Sequence, residues 1–342
     1  MIELIRGKYN TISIVGMAKN SGKTVALNYL IEEAIENSIS IGITSIGRDG
    51  EVLDIVTETE KPPIFVEEGT VIATASGVLD LGDANIEILK VTEYKTPLGE
   101  IIIGKVRHGG YVQIAGPQRL SEIKKSADEM LDLGAEFVII DGALDRFSQA
   151  APAVSEATIL STGAVISRDM NIVIEKTIHK VNTLGLPEVE GKEIRRILRE
   201  VMDKGQIATV DVENKVEIIP IKTALNSGHI IADYLKNNTK YLAIPGSLVK
   251  NTLEDLIKST RKYKDIEIII QDGTKRFIEP KDWIKSVRQG IKIKVLDKIN
   301  LIGITVNPYA PAGYYFEPKD FLLKMKSYID HIPVMDLVLG GE

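Results

Sequence analysis

The sequence predicts an α/β fold, with a doubly wound domain over residues 1–186, a strand-rich insertion at about 52–110, and a second α/β domain over 187–342. Two observations support this prediction. Short β-branched apolar runs alternate with segments whose apolar residues recur at three-and-four spacing, and this alternation is typical of a sheet with helices on both faces. The run at 137–140 is apolar without interruption, as expected for a strand covered on both faces of a parallel sheet.

The first elements are a strand at 11–15, a glycine-bearing turn at 16–24 and an amphipathic helix. The helix carries apolar residues at three-and-four spacing, namely Val25, Leu27, Leu30, Ile31, Ala34 and Ile35. In such a turn, backbone N–H groups and the positive end of the following helix surround a phosphate. The order of elements therefore predicts a phosphate-binding loop.

The rest of the first domain continues the alternation. We expect strands at 39–46, 64–66, 71–73, 86–91, 101–106, 137–140 and 157–160. One helix ends before Gly134, and a second covers about 167–184. The expected domain boundary is at 185–187, where glycine and proline follow that helix.

The second half has the same α/β pattern without a second phosphate loop. We expect helices at 191–204, 223–236 and 248–261 and from Pro318, and strands at 207–212, 216–219, 241–244, 266–270, around Val295, 302–306 and 334–338. The segment from Tyr309 to Phe316 concentrates aromatic residues in a chain poor in them. It is either a recognition surface or a cover packed on the second domain.

Composition limits the classes of function. Hydrophobic residues make up 44% and charged residues 26% of the 342, which is ordinary for a globular protein. The net charge of -6 includes no long run of one sign, which argues against binding to nucleic acid or to an anionic membrane. The lack of cysteine excludes disulfides, thiolate metal sites and a cysteine nucleophile. No stretch approaches the roughly 20 apolar residues of a membrane span, so we expect a cytoplasmic protein.

The nucleotide-binding candidates all lie in the loop, and they are Gly16, Asn20, Ser21, Gly22, Lys23 and Thr24. Lys23 supplies charge to a phosphate, and Thr24 offers a hydroxyl to Mg²⁺. The usual pattern places a glycine where Met17 stands, so Gly16 comes one residue early. The alternative interpretation is a chance turn with a solvated Lys23. Lys19 is either a further catalytic cation that reaches a terminal phosphate or an exposed loop lysine.

Two acids are candidate Mg²⁺ ligands besides Thr24. Asp141 ends the apolar run at 137–140, and Asp49 follows the strand at 39–46. Mg²⁺ prefers oxygen ligands and keeps several waters, so a hydroxyl and one or two carboxylates suffice beside the phosphates. Arg48 could stabilise charge on a terminal phosphate. The alternatives are a polar strand end at Asp141 and an ordinary exposed turn at Arg48 and Asp49. The first domain lacks a guanine-reading stretch, which favours ATP and leaves GTP open.

The first domain resembles the branch of P-loop NTPases that contains dethiobiotin synthetase, the cobyrinic acid amidases and the adaptor of molybdopterin guanine dinucleotide synthesis. The matching segments are the turn at 20–24, the region of Asp49 and the segment at 141–143. This resemblance covers about half of the chain, and it implies that Thr24, Asp49 and Asp141 bind Mg²⁺.

The whole chain is similar to the small subunits of reactivases for adenosylcobalamin-dependent lysine 5,6-aminomutase. The segments that carry this similarity are 14–24, 44–51 and 307–309. It implies ATP-driven exchange of damaged cobalamin, with a MutS-like ATPase subunit or the aminomutase as the protein partner. A homodimer is the alternative to assembly with another protein.

Three hypotheses follow from these patterns. The first is a Mg²⁺-dependent nucleotide-binding protein that acts as a slow ATPase and accessory subunit. The second is an ATP-dependent ligase of the dethiobiotin synthetase type, and the third is a nucleotide-binding module that does not hydrolyse its ligand.

Overall fold

The computed structural model describes residues 1–46, 64–142 and 148–337. The strands are β1 (Thr11–Gly16), β2 (Ile41–Ser45), β3 (Ile64–Val66), β4 (Val71–Ala75), β5 (Asn85–Thr96), β6 (Gly99–His108), β7 (Gly110–Val112), β8 (Phe137–Asp141), β9 (Ala157–Gly163), β10 (Ile207–Asp211), β11 (Val216–Ile219), β12 (Thr239–Ile244), β13 (Leu248–Val249), β14 (Glu267–Ile270), β15 (Arg276–Phe277), β16 (Ile293–Val295), β17 (Leu301–Asn307) and β18 (Val334–Met335). The helices are α1 (Lys23–Glu36), α2 (Leu120–Asp132), α3 (Met170–Leu184), α4 (Lys192–Asp203), α5 (Gly228–Tyr234), α6 (Lys250–Ser259), α7 (Pro280–Arg288) and α8 (Pro318–Tyr328).

The chain forms two compact units, one of residues 1–178 and 300–342 and the other of residues 179–299. The expected second domain of residues 187–342 is therefore corrected at both ends. Its last part belongs to the first unit because β17 pairs in parallel with β9, with Ile304 opposite Leu160. The boundary between the units lies between residues 178 and 179, within α3, and not near residue 187.

The first unit contains a nine-stranded sheet in the order β18-β17-β9-β1-β8-β2-β4-β6-β5. Strands from β18 to β4 run parallel, whereas β6 and β5 form an antiparallel edge. This large, mostly parallel sheet confirms the α/β fold class. Within the predicted insertion, β5 and β6 are the antiparallel edge, but β4 belongs to the parallel part and β3 pairs with β7 in a separate ribbon.

Both faces of this sheet are covered, because alternate residues of the central strands enter two different cores. Phe137 and Ile139 of β8 pack in the same core as Leu27 of α1. Val138 and Ile140 pack in the other core, with residues of α2. Burial of each such side chain contributes about 1.5–3 kcal/mol, so the uninterrupted apolar run specifies a central strand. The arrangement brings the carboxyl ends of β1, β8 and β2 to one sheet edge, where ligands of α/β sheets bind.

The second unit is also α/β. Its five-stranded sheet has the order β11-β10-β12-β14-β16, in which β12, β14 and β16 run parallel and β10 and β11 are antiparallel. The sequence patterns did not predict α7, which begins with Pro280 at a first-turn position. In the described parts of both units, no helix has the length and apolarity needed to cross a membrane.

Candidate functional site

The loop at 16–24 joins β1 to α1, and its backbone is curled by two left-handed residues. Gly22 has φ of 100° and Asn20 has φ of 61°, a region that glycine adopts freely and asparagine tolerates. α1 begins at Lys23, directly after Gly22. Main-chain N–H groups in such a turn, together with the free N–H groups of the first helical turn, favour an anion. We call residues 16–24 the candidate phosphate loop.

Gly16 has a steric role in this loop. A Cβ atom at position 16 would lie 2.5 Å from Oγ of Ser21 and 2.8 Å from Cδ of Lys23. Only glycine therefore allows these two side chains to fold over the end of β1. The main-chain N–H of Met17 donates to the carbonyl of Ser161 at 2.9 Å, so the hydrogen bonding to β9 continues one residue beyond Gly16. The Met17 Sδ atom lies 3.4 Å from Oγ1 of Thr177 on α3.

Ser21 contributes a hydroxyl at the centre of the candidate phosphate loop. The residue is 1% exposed, and among the described residues its Oγ atom has no hydrogen-bond partner. Buried hydroxyl groups in proteins are normally hydrogen-bonded, so an orphaned one needs an explanation. A ligand with acceptor oxygens would provide the missing partner.

Lys23 and the end of β8 are brought together directly. The Lys23 ammonium donates a hydrogen bond of 2.8 Å to the carbonyl of Gly142. Asp141 precedes Gly142 and ends β8, where it is opposite Ile14 of β1 and Ser45 of β2. Thr24 is half-buried in the first turn of α1. The predicted lysine, acid and hydroxyl thus lie on elements that converge at the carboxyl end of the sheet.

Asn307 is a functional candidate that the sequence analysis did not assign. Its Nδ2 atom donates to the main-chain carbonyl of Asn20 at 3.2 Å, and its Oδ1 atom accepts from the main-chain N–H of Tyr309 at 3.1 Å. A Cβ atom on Gly22 would lie 3.2 Å from Cβ of Asn307, so the side chain packs closely on the loop. The available signal was a polar residue at the end of an apolar run, the same signal that identified Asp141.

The remaining candidates are Lys19, Arg48, Asp49 and the aromatic segment. Lys19 is an exposed residue of the loop, whereas Arg48 and Asp49 lie outside the described residues. The aromatic segment at 309–316 belongs to the first unit, whereas the sequence analysis placed it in the second domain. Tyr309 and Tyr315 form an antiparallel bridge, and Phe316 packs on Phe321 of α8 with ring centroids 5.2 Å apart.

Within residues 1–46, 64–142 and 148–337, no cluster of three or more histidine and acidic side chains could hold a metal on its own. A Mg²⁺ ion that is bound largely by phosphates and water needs only one or two protein oxygens, which Thr24 and Asp141 can supply. Comparisons of the chain with models of known families, with curated proteins and with solved structures found no match.

Proposed function

We propose that the chain is a cytoplasmic, Mg²⁺-dependent nucleotide-binding protein that acts as a slow ATPase and accessory subunit. The observation that carries the proposal is the buried Ser21 hydroxyl, which lacks a partner among the described residues inside a loop with left-handed turns at Asn20 and Gly22. The negative charge of a phosphate group complements this loop, because the loop presents main-chain N–H groups and the Lys23 ammonium group. A phosphate group also matches the loop in chemistry, because phosphate oxygens accept hydrogen bonds from hydroxyl and ammonium groups.

Each loop residue has a distinct role in this proposal. Ser21 and the main-chain N–H groups hold the phosphates. Lys23 pairs with a phosphate oxygen in place of the carbonyl of Gly142. Thr24 and Asp141 hold the Mg²⁺ ion, which neutralises phosphate charge when bound. Phosphoryl transfer depends mainly on positioning and electrostatic stabilisation, and for that purpose Lys19 and Arg48 are candidate additional cations.

The accessory role is supported by the connection between the loop and an exposed aromatic segment. Asn307 contacts Asn20 in the loop and Tyr309 at the start of that segment. Tyr309 is 47% exposed and Tyr315 is 63% exposed. Aromatic side chains give large contact areas at protein interfaces. We therefore propose a protein partner at this segment, with a MutS-like ATPase subunit or an adenosylcobalamin aminomutase as the expected classes and a second copy of the chain as the alternative.

Calorimetric titration tests the nucleotide site. We expect wild type to bind MgATP, and MgGTP serves as the competing ligand. Lys23→Ala should weaken binding at least about tenfold, because a charge-assisted hydrogen bond contributes about 1.5–3 kcal/mol. Lys326→Ala, which changes an exposed lysine of α8, is the matched control and should bind as wild type does. The proposal is wrong if wild type binds neither nucleotide in the presence of Mg²⁺.

Turnover measurements separate the accessory role from its rivals. Phosphate release should be slow for the isolated chain and faster with the partner protein recovered from native complexes. A dependence on a small carboxylic acid would indicate a ligase instead, and tight nucleotide binding without phosphate release would indicate a non-hydrolysing module.

A further inference from the structure

Arg276 is a buried cation in the second unit. It begins β15 and is only 5% exposed. Its Cζ atom lies over the ring of Trp283, 4.2 Å from the ring centroid. Trp283 is a half-buried residue of α7 and so covers the guanidinium on one side. Charged side chains are almost never this deeply buried unless they are paired.

The hydrogen bonds of Arg276 use one side of the guanidinium only. Its Nη2 atom donates to Oγ1 of Thr183 and lies 3.3 Å from Nε2 of His179. The Nε and Nη1 atoms are buried, and within the described chain neither has a hydrogen-bond partner. We call Arg276, His179, Thr183 and Trp283 the Arg276 cluster.

No carboxylate in the described residues offsets the burial of Arg276, although Glu279 acts on His179 with a smaller, opposite effect than burial and Arg276. Burial lowers the pKa of the Arg276 guanidinium to about 10, without a compensating carboxylate among the described residues. Burial also lowers the pKa of His179, and the charge of Arg276 lowers it further. Both shifts show that added positive charge is unfavourable here. A buried cation without a counter-ion is strongly destabilising, whereas a bound anion would compensate it.

We propose that the Arg276 cluster binds a small oxyanion, a carboxylate or a phosphate, through the Nε and Nη1 atoms of Arg276. Guanidinium groups suit this chemistry because their planar, fixed donors match carboxylate and phosphate oxygens. The ligand is small because both nitrogen atoms are buried. This site belongs to the second unit, and it does not depend on nucleotide binding by the first.

Trp283 provides a direct readout, since it is the single tryptophan of the 342-residue chain. The full-length chain is titrated with inorganic phosphate and, separately, with acetate, at fixed pH and with sodium chloride holding the ionic strength constant. The titrations use the Lys23→Ala variant of the chain. This substitution removes the main cation of the candidate phosphate loop, so that anion binding there contributes less to the signal. We expect a saturable change in tryptophan emission and a rise in Tm with at least one of the two anions.

Arg276→Met should lower the anion affinity at least about tenfold, because charge-assisted hydrogen bonds are lost. Arg196→Met is the matched control and should leave the affinity unchanged, because Arg196 is exposed and pairs with Glu200 on α4. If Arg276→Met does not fold, the Arg276→Lys variant is measured instead. A weakened anion affinity is again expected, because lysine has one ammonium nitrogen where arginine has three guanidinium nitrogens.

The titrations also define the ligand class and the outcomes that overturn the proposal. A response to acetate alone identifies a carboxylate site, a response to phosphate alone identifies a phosphate site, and a response to both identifies a general oxyanion site. No saturable change in emission or Tm with either anion would overturn the proposal. An undiminished affinity in both Arg276 variants, or in the one that folds, would overturn it too.

Discussion

Asn307 donates a hydrogen bond of 3.2 Å to the main-chain carbonyl of Asn20, a residue 287 positions earlier in the chain. This bond joins the end of β17 to the candidate phosphate loop. The left-handed conformation of Asn20 is thereby supported from outside the loop. Since the same side chain also accepts from Tyr309, the shape of the loop and the start of the aromatic segment depend on one residue.

Asn307→Ala is therefore expected to weaken MgATP binding about fivefold, because a net hydrogen bond contributes about 1 kcal/mol and the loop loses its support. Isothermal titration measures the affinity. Asn300→Ala is the control, since Asn300 also bonds to a main-chain carbonyl, that of Glu156, just before β17 begins. Equal affinities for the two variants would contradict a role for Asn307 in positioning the loop.

Gly16→Ala is expected to reduce nucleotide binding more than it reduces stability. The new methyl group would displace Ser21 and Lys23, whose side chains are the atoms it meets. Because side chains move more easily than backbone, the free energy of unfolding should fall by only about 1 kcal/mol. Titration and urea denaturation measure the two effects. Gly246→Ala, at a position with open space around the added Cβ, should change neither binding nor the loop.

Ser21→Ala is expected to lower nucleotide affinity without lowering stability. Removal of a buried hydroxyl without a partner should leave the free energy of unfolding unchanged or raise it by up to about 1 kcal/mol, whereas MgATP affinity should fall about fivefold. Ser13→Ala is the informative comparison. The Ser13 hydroxyl lies 3.0 Å from those of both Thr158 and Ser155, so its loss should destabilise the protein by about 1–3 kcal/mol. Similar losses of stability in the two variants would show that Ser21 has a partner in solution.

The strand, turn and helix around the candidate phosphate loop could be predicted from sequence because their signals are local. Apolar alternation, the glycines and the helical spacing all fall within residues 11–36. The pairing of β17 with β9 could not be predicted, because an apolar run specifies a strand but not its neighbour in the sheet. The contact of Asn307 with Asn20 follows from that pairing and was missed for the same reason.

The burial of Arg276 could not be predicted from the sequence for another reason. A basic residue beside Lys275 and the exposed Phe277 gives no signal of burial in the sequence, because arginine is usually exposed. Its burial results from the packing of α3 and α7 around β15, which involves Thr183 and Trp283. Only the folded second unit reveals a cation without a carboxylate partner in the described residues.

The stability of the second unit should fall with decreasing pH because of His179. Its pKa is lowered in the folded state, first by burial and then by the charge of Arg276. Below the ordinary histidine pKa of about 6.5, the unfolded chain binds a proton that the folded chain binds less readily. The free energy of unfolding therefore decreases as the pH falls through that value.

Urea denaturation between about pH 5 and 8, followed by Trp283 emission, measures this dependence in the second unit. In His179→Gln the decrease below about pH 6.5 should become smaller, because the group that takes up the proton on unfolding is gone. His331→Gln changes an exposed histidine of the first unit and should keep the wild-type profile. A His179→Gln profile identical to that of wild type would show that His179 does not link protonation to the stability of this unit.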